Sequence, residues 1–260
     1  MAIQEFALPP IEEQQRIIRS AFVIDEVLES WLSALRAAEA ARLSFLTECF
    51  PEKHEERGML TRDSTIGALS DLAEIRTGLA LGKKNDGIGI TERPYLRVAN
   101  VQDGVLDLAE IKKVQVRAED VSRYLLMPGD VLMNEGGDYD KLGRGAVWHG
   151  EIADCLHQNH VFAVRPNQSM LRSEYLAALG RSPHGKRYFR SCAKRTSNLA
   201  SINKKQLSAF PVVLVPTNIQ AQIVELVSAY DEAEANIRVR LTSTRQLRSQ
   251  LLQKAFGASA

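Results

Sequence analysis

The chain has 260 residues, enough for one large domain or for a domain with a substantial appendage. Hydrophobic residues make up 45% and charged residues 25%, the balance of a globular protein with a real core, while a formal charge of +1 excludes a globally basic nucleic-acid binder, so any such surface must be a local patch. Three well-separated cysteines (Cys49, Cys155, Cys192) with no C-x-x-C pair argue against a zinc knuckle or a disulfide framework. With neither a signal peptide nor a membrane-length apolar run, a reducing, cytoplasmic setting away from any membrane is expected.

The first element opens with "LPPIEEQQRIIRSAF", Leu8 to Phe22. Proline belongs at a helix start because its missing N–H costs nothing there. The positions Ile17, Ile24, Leu28, Trp31, Leu35, Ala38, Arg42, Phe45 and Cys49 then form one helical stripe, apolar except at Arg42. The segment "PEKHEERG" ends it, which gives a first region of residues 1–58.

Residues 59–215 alternate short β-like runs with turn signals. A strand is expected at Tyr95–Val98, ending at Asp103-Gly104, and another at Asp130–Met133 behind a Pro-Gly turn. "GRGAVWHG" and "HVFAVRP" are two more. The pattern then turns helical: "SEYLAALGRS" with Ser173 as its cap, "PHGKRYFRSCAKR" starting at Pro183, and "NKKQLSAF" before a last strand, "PVVLVP".

Residues 216–260 repeat the first region at an offset of 206: Leu8, Pro10, Gln14, Asp25, Leu35 and Arg42 meet Leu214, Pro216, Gln220, Asp231, Leu241 and Arg248. Here Ile223, Leu226, Tyr230, Ala233, Ile237, Leu241, Thr244, Leu247 and Leu251 recur about every 3.5 residues, the coiled-coil period. Gly257 marks the stop. Helices of about forty residues would run roughly 60 Å, and neither is stable alone in water. Each copy is therefore expected to pair with the other, antiparallel, through Ile24, Leu28 and Leu35 on one side and Ile237, Leu241 and Leu251 on the other. The fold class is α+β: an irregular mixed domain flanked by two long helices that form an antiparallel coiled coil.

Catalytic templates fail in turn. "GLALGKK" has three residues between its glycines where a phosphate loop needs four, and Lys84 where Ser or Thr should follow. No Asn-Pro-Pro-aromatic segment encodes an amino-methyltransferase site. "HQNH" offers His157 and His160 at a spacing that could hold a metal, yet no acid or thiol completes the set, and a hydrogen-bonding role is the better reading. "EGGDYDK" supplies Glu135, Asp138 and Lys141, the groups of a metal nuclease, but from a glycine-rich loop rather than a strand.

Loop-borne polar and basic residues accumulate instead. The leading candidates for DNA contact are Lys83, Lys84, Asn100, Lys141, Arg144, Gln158, Asn159, Arg195, Thr196 and Asn198. Arg and Lys match guanine edges, Asn and Gln match adenine edges, and Lys and hydroxyls meet phosphates. Nearby glycines (Gly78, Gly82, Gly136, Gly137, Gly143, Gly145) would let the backbone approach a ligand. A DNA-binding subunit, a metal nuclease and a coiled-coil adaptor remain the three readings of the residues alone.

The order of these pieces resembles the specificity subunit of type I restriction–modification enzymes over nearly the whole chain. The resemblance rests on "YLRVANVQDG", "PGDVLMNEGG" with "LGRG", "CLHQNHVFAV", "TSNLASINKKQL" and the proline-led "LPPIEEQQRII"; the second copy, "LVPTNIQAQIV", lacks the second proline and the Glu-Gln pair. The resemblance implies a non-catalytic subunit. Its target recognition domain reads a half-site of double-stranded DNA, and its helices space a second such domain and dock DNA methyltransferase subunits. S-adenosylmethionine is then expected in that partner, no cofactor in this chain, and an ATP-dependent restriction subunit can join. Helix–domain–helix is half of the usual order, so a homodimer reading a symmetric interrupted site is expected.

Overall fold

The computed structural model describes residues 9–51, 61–81, 89–137, 139, 142–195 and 200–256. Two long helices, α1 (Ile11–Cys49) and α7 (Thr217–Phe256), hold 39 and 40 residues. Packing divides the chain into two units inside these helices: the arms up to Ser44 and from Ser228 form one, and Phe45–Val227 the other. The boundary falls there because Leu46, Cys49, Phe50, Ile223 and Val227 belong to the core of the second unit.

Between the long helices the described residues form twelve short strands and five short helices. The central sheet is antiparallel, in the order β2 (Ala73–Thr77), β9 (Val161–Pro166), β5 (Val131–Asn134), β7 (Gly145–Val147). Side chains alternate across it with period two. Val131, Met133, Phe162 and Val164 face the main core, where Tyr175, Leu176, Leu179, Phe189 and Phe210 pack. Leu132, Val161 and Ala163 face a second core with Leu96, Trp148 and Cys155. Both faces are buried, which is why "VLM" and "VFAV" read as continuous apolar runs.

Three smaller sheets surround this one. β1 (Thr65–Ala68) pairs with β12 (Pro211–Leu214), bringing the two ends of the unit side by side. β3 (Ile90–Leu96) lies between β4 (Lys112–Arg117) and β8 (Leu156–His157), parallel to the latter. β11 (Ala200–Ser201) lies between β10 (Lys194–Arg195) and β6 (Gly136–Gly137). A buried carboxylate locks the central sheet: Asp130 accepts two bonds from Arg165, at 2.7 and 2.8 Å, and one from the Met127 N–H.

The helices are α2 (Leu69–Leu72), α3 (Val121–Tyr124), α4 (Ser173–Arg181), α5 (Pro183–Cys192) and α6 (Lys204–Ser208). Ser173 does not cap α4; Arg172 holds the cap position, and the Ser173 hydroxyl donates to the Gly129 carbonyl and accepts from Gln168. α5 carries the expected N1 proline, with Ser182 capping the Gly185 N–H. Asn203 and Gln206 close a reciprocal capping box on α6. The stop segments "PEKHEERG" and Gly257 lie outside the described residues.

In the helical unit α1 and α7 run antiparallel, tied by Arg42 to Glu234 at 2.6 Å, Arg248 to Asp25 at 2.6 Å and Arg238 to Glu39. Ile24, Leu28 and Leu35 on α1 and Ile237 and Leu251 on α7 are half-buried, and Leu241 is buried. The α7 stripe differs from the one the sequence suggested. Leu226, Ala233 and Leu247 are exposed; Val227 turns into the core of the globular unit, and Glu234 and Arg248 take the inward positions of the hairpin. The observed steps alternate strictly between four and three, the seam of a coiled coil.

A candidate nucleic-acid interface

Lys83, Lys84, Lys141, Thr196 and Asn198 lie outside the described residues, as does Asp138, and the backbone of Arg195 belongs to β10. The remaining candidates are Asn100, Arg144, Gln158 and Asn159. Asn100 is corrected from reader to framework. It is 3% exposed, its Oδ1 accepts from the Arg97 N–H at 2.9 Å, and its Nδ2 donates to the carbonyls of Asp107 and Glu110 at 2.8 and 3.1 Å. Those bonds pin the Val98–Asn100 3-10 turn, and a buried side chain with both amide hydrogens so engaged is not presented to a base edge.

Arg144 is half-buried and donates to Gln102 Oε1 at 3.2 Å, while Gln102 Nε2 donates to the Ala99 carbonyl at 2.7 Å. The guanidinium is thereby oriented by the same turn that Asn100 holds. Gln158 and Asn159 occupy the turn between β8 and β9, with backbone N–H groups given to Leu96 and Leu79. His157 begins this turn, and its role is structural: it is 1% exposed and its Nδ1 lies 2.6 Å from the Val161 carbonyl, the donor in that bond. Burial pulls its pKa down from 6.5 to about 4, although the bond to Val161 opposes the shift.

The structure adds a pairing that the sequence did not reveal. His160 Nδ1 is 2.6 Å from Glu135 Oε2, and Asn159 Nδ2 is 3.4 Å from His160 Nε2. A carboxylate only accepts, so Nδ1 is the donor, and Nε2 is then free to accept from the Asn159 amide. Glu135 and His160, with Val98, Gly136, Gly137, Lys194, Ala200 and Ser201, line a cleft of about 610 Å³. Backbone bonds from Glu135 N–H to the His160 carbonyl (2.9 Å) and from Ile202 N–H to the Glu135 carbonyl (2.8 Å) fix its walls. Among the described residues no group of three or more His, Cys, Asp or Glu could hold a metal ion.

The glycines divide by role. A Cβ at Gly78 would come within 2.2 Å of the His157 carbonyl oxygen, and one at Gly143 within 2.1 Å of the Phe189 ring. These glycines, and Gly145 against Leu132, serve packing within the protein rather than approach to a ligand. Gly137 is different: with φ of 154° and nothing within 4 Å, it leaves open space in front of the cleft. Gly82 lies outside the described residues.

A frame of small sheets that presents hydrogen-bonding side chains from turns, joined in sequence to a helical hairpin built from a repeat, defines the class: an α+β module between two long helices. More particularly, the chain belongs to the type I restriction modification DNA specificity domain family, which matches residues 62–243. It is 29% identical over 206 residues to the specificity subunit ascribed to a type I restriction enzyme, MjaX, of Methanocaldococcus jannaschii, covering 78% of this chain and 48% of that protein. It is 28% identical over 196 residues to the type I restriction enzyme EcoKI specificity subunit of Escherichia coli K12, covering 72% and 41%. The chain thus spans about half the length of the curated relatives it matches. In fold it is similar to the HsdS subunit from Thermoanaerobacter tengcongensis, with a TM-score of 0.57 at 20% identity over 97% of this chain and 60% of that one.

Proposed function

We propose that this chain is a non-catalytic DNA-recognition subunit of a type I restriction–modification complex. Its globular unit reads one half-site, its helical hairpin docks a methyltransferase subunit, and two copies act together on a symmetric interrupted site. The observation that carries the DNA reading is the family match across residues 62–243, which includes every turn of the candidate interface. S-adenosylmethionine belongs to the methyltransferase in this reading.

Pairing of two copies is supported by a comparison of the repeats. Gln220 is fully buried: its Nε2 donates to the carbonyls of Val215 and Met170, and its Oε1 accepts from the Arg172 N–H. Its repeat mate Gln14 makes the equivalent local bond, Nε2 to the Pro9 carbonyl at 2.8 Å, and is half-buried. Around Gln220, Ile223 and Val224 pack into the globular core; of their repeat mates Ile17 is buried, whereas Ile18 is 66% exposed, as is Ile11, and Phe22 is 63% exposed. The start of α1 keeps Gln14, Ile17 and Ile18 where α7 has Gln220, Ile223 and Val224, which supports its docking on the globular unit of a second copy.

The test is methylome sequencing of cells that express the chain with a methyltransferase subunit. A new methylated motif made of two inverted half-sites around a fixed spacer is the expected result. A single asymmetric motif would overturn the pairing, and no new motif would overturn the assignment.

A further inference from the structure

We infer that the Glu135–His160 cleft reads the edge of a C·G base pair, with Glu135 as the residue that selects cytosine; this rests on the DNA-recognition reading above. A carboxylate has acceptors only. In the major groove guanine offers N7 and O6, thymine O4, and adenine places N7 beside its amino group, so each sets an acceptor against a carboxylate. Among single bases, cytosine alone offers an amino donor with no acceptor on its own major-groove edge. His160 takes up Oε2 of Glu135, which leaves Oε1 as a single acceptor and places an N–H dipole beside a negative group that must work near phosphates.

The carboxylate is held before DNA arrives. Its own backbone is bonded on both sides, to His160 and to Ile202, and its imidazole partner is tied in turn to Asn159. Little ordering is left to be done on binding. The approach is kept clear by Gly137, where any side chain would stand in the open cleft. Lys194 and Ser201 on the walls supply the donors that phosphate oxygens take. Glu135 touches the base in this scheme, and His160 is a positioning residue.

The experiment is selection of a randomised duplex DNA library by the full chain, comparing wild type with E135Q, H160A and H160N. The wild-type motif should contain a C·G position at which E135Q lowers the preference for C over A by about tenfold or more, because an amide matches adenine. The other positions should be unchanged, and so should the melting temperature of this isosteric variant. H160A should weaken the same position alone, and H160N, which restores an N–H toward the carboxylate, should recover it. A motif without such a C·G position, or one identical in wild type and E135Q, overturns the inference while leaving DNA recognition intact. A wild-type chain that selects no motif overturns DNA reading itself, and the inference with it.

Discussion

His157 shows how single residues carry the frame rather than the chemistry. With its ring buried and Nδ1 spent on the Val161 carbonyl, it is neutral in the fold, and burial sets its pKa at about 4 against 6.5 in the unfolded chain. Between those values the unfolded state binds the extra proton, so stability falls as pH falls through that window. The loss from this residue should be about 2 kcal/mol between pH 7 and pH 5. Denaturant unfolding of wild type and His157→Gln at both pH values checks it: the gap between the two proteins should narrow by that amount at pH 5, and an unchanged gap would mean that the imidazole titrates in the fold as it does in the unfolded chain. The sequence allowed this reading, since "HQNH" heads an apolar strand. It could not reveal that His160, three residues on, reaches Glu135, because a contact across 25 positions leaves no periodic trace. Asn100 misled for the opposite reason: a polar residue at a turn reads as exposed, while here the turn folds around it.

At the scale of elements the two long helices were legible from their period and their repeat, and the face of α7 was not. Leu226 and Leu247 look like seam residues by size, yet they are 45% and 54% exposed. What sets the face is the partner helix. Arg42 on α1 meets both Glu234 and Asp231, and Asp25 meets Arg248. Under the 206-residue offset Asp25 becomes Asp231 and Arg42 becomes Arg248, so one Asp–Arg pair occurs twice, once in each direction. An antiparallel hairpin of two repeat copies requires this reciprocity, and it draws Glu234 and Arg248 inward in place of their apolar neighbours Ala233 and Leu247. Leu241, 5% exposed, then carries the apolar seam on this helix. Leu241→Ala should therefore cost about 2–4 kcal/mol, and Leu247→Ala no more than about 0.5 kcal/mol. Urea unfolding followed by far-ultraviolet circular dichroism separates them; equal costs would restore the stripe that residue size suggests.

At the scale of the molecule the order helix, mixed domain, helix could be read from the repeat, whereas the sheet order could not. β6, β8, β10 and β11 are two residues each, too short for a period-two signal, and they are placed by neighbours far away in the chain. The same brevity makes the globular unit a set of fixed turns rather than a broad sheet, which suits a surface that reads a ligand. The proposed pairing of two copies turns on the start of α1. Ile18 and Phe22 are 66% and 63% exposed, so changing them takes almost nothing from the packing of a single chain. If the globular unit of a second copy covers them, two lysines there would place charges in an apolar contact and break it. Sedimentation should then show wild type as a dimer and the Ile18→Lys, Phe22→Lys protein as a monomer with the same melting transition for its globular unit. DNA selection by the monomer should return one half-site in place of two. A wild type that sediments as a monomer would overturn the pairing, and a double variant that stays dimeric would remove the start of α1 from it.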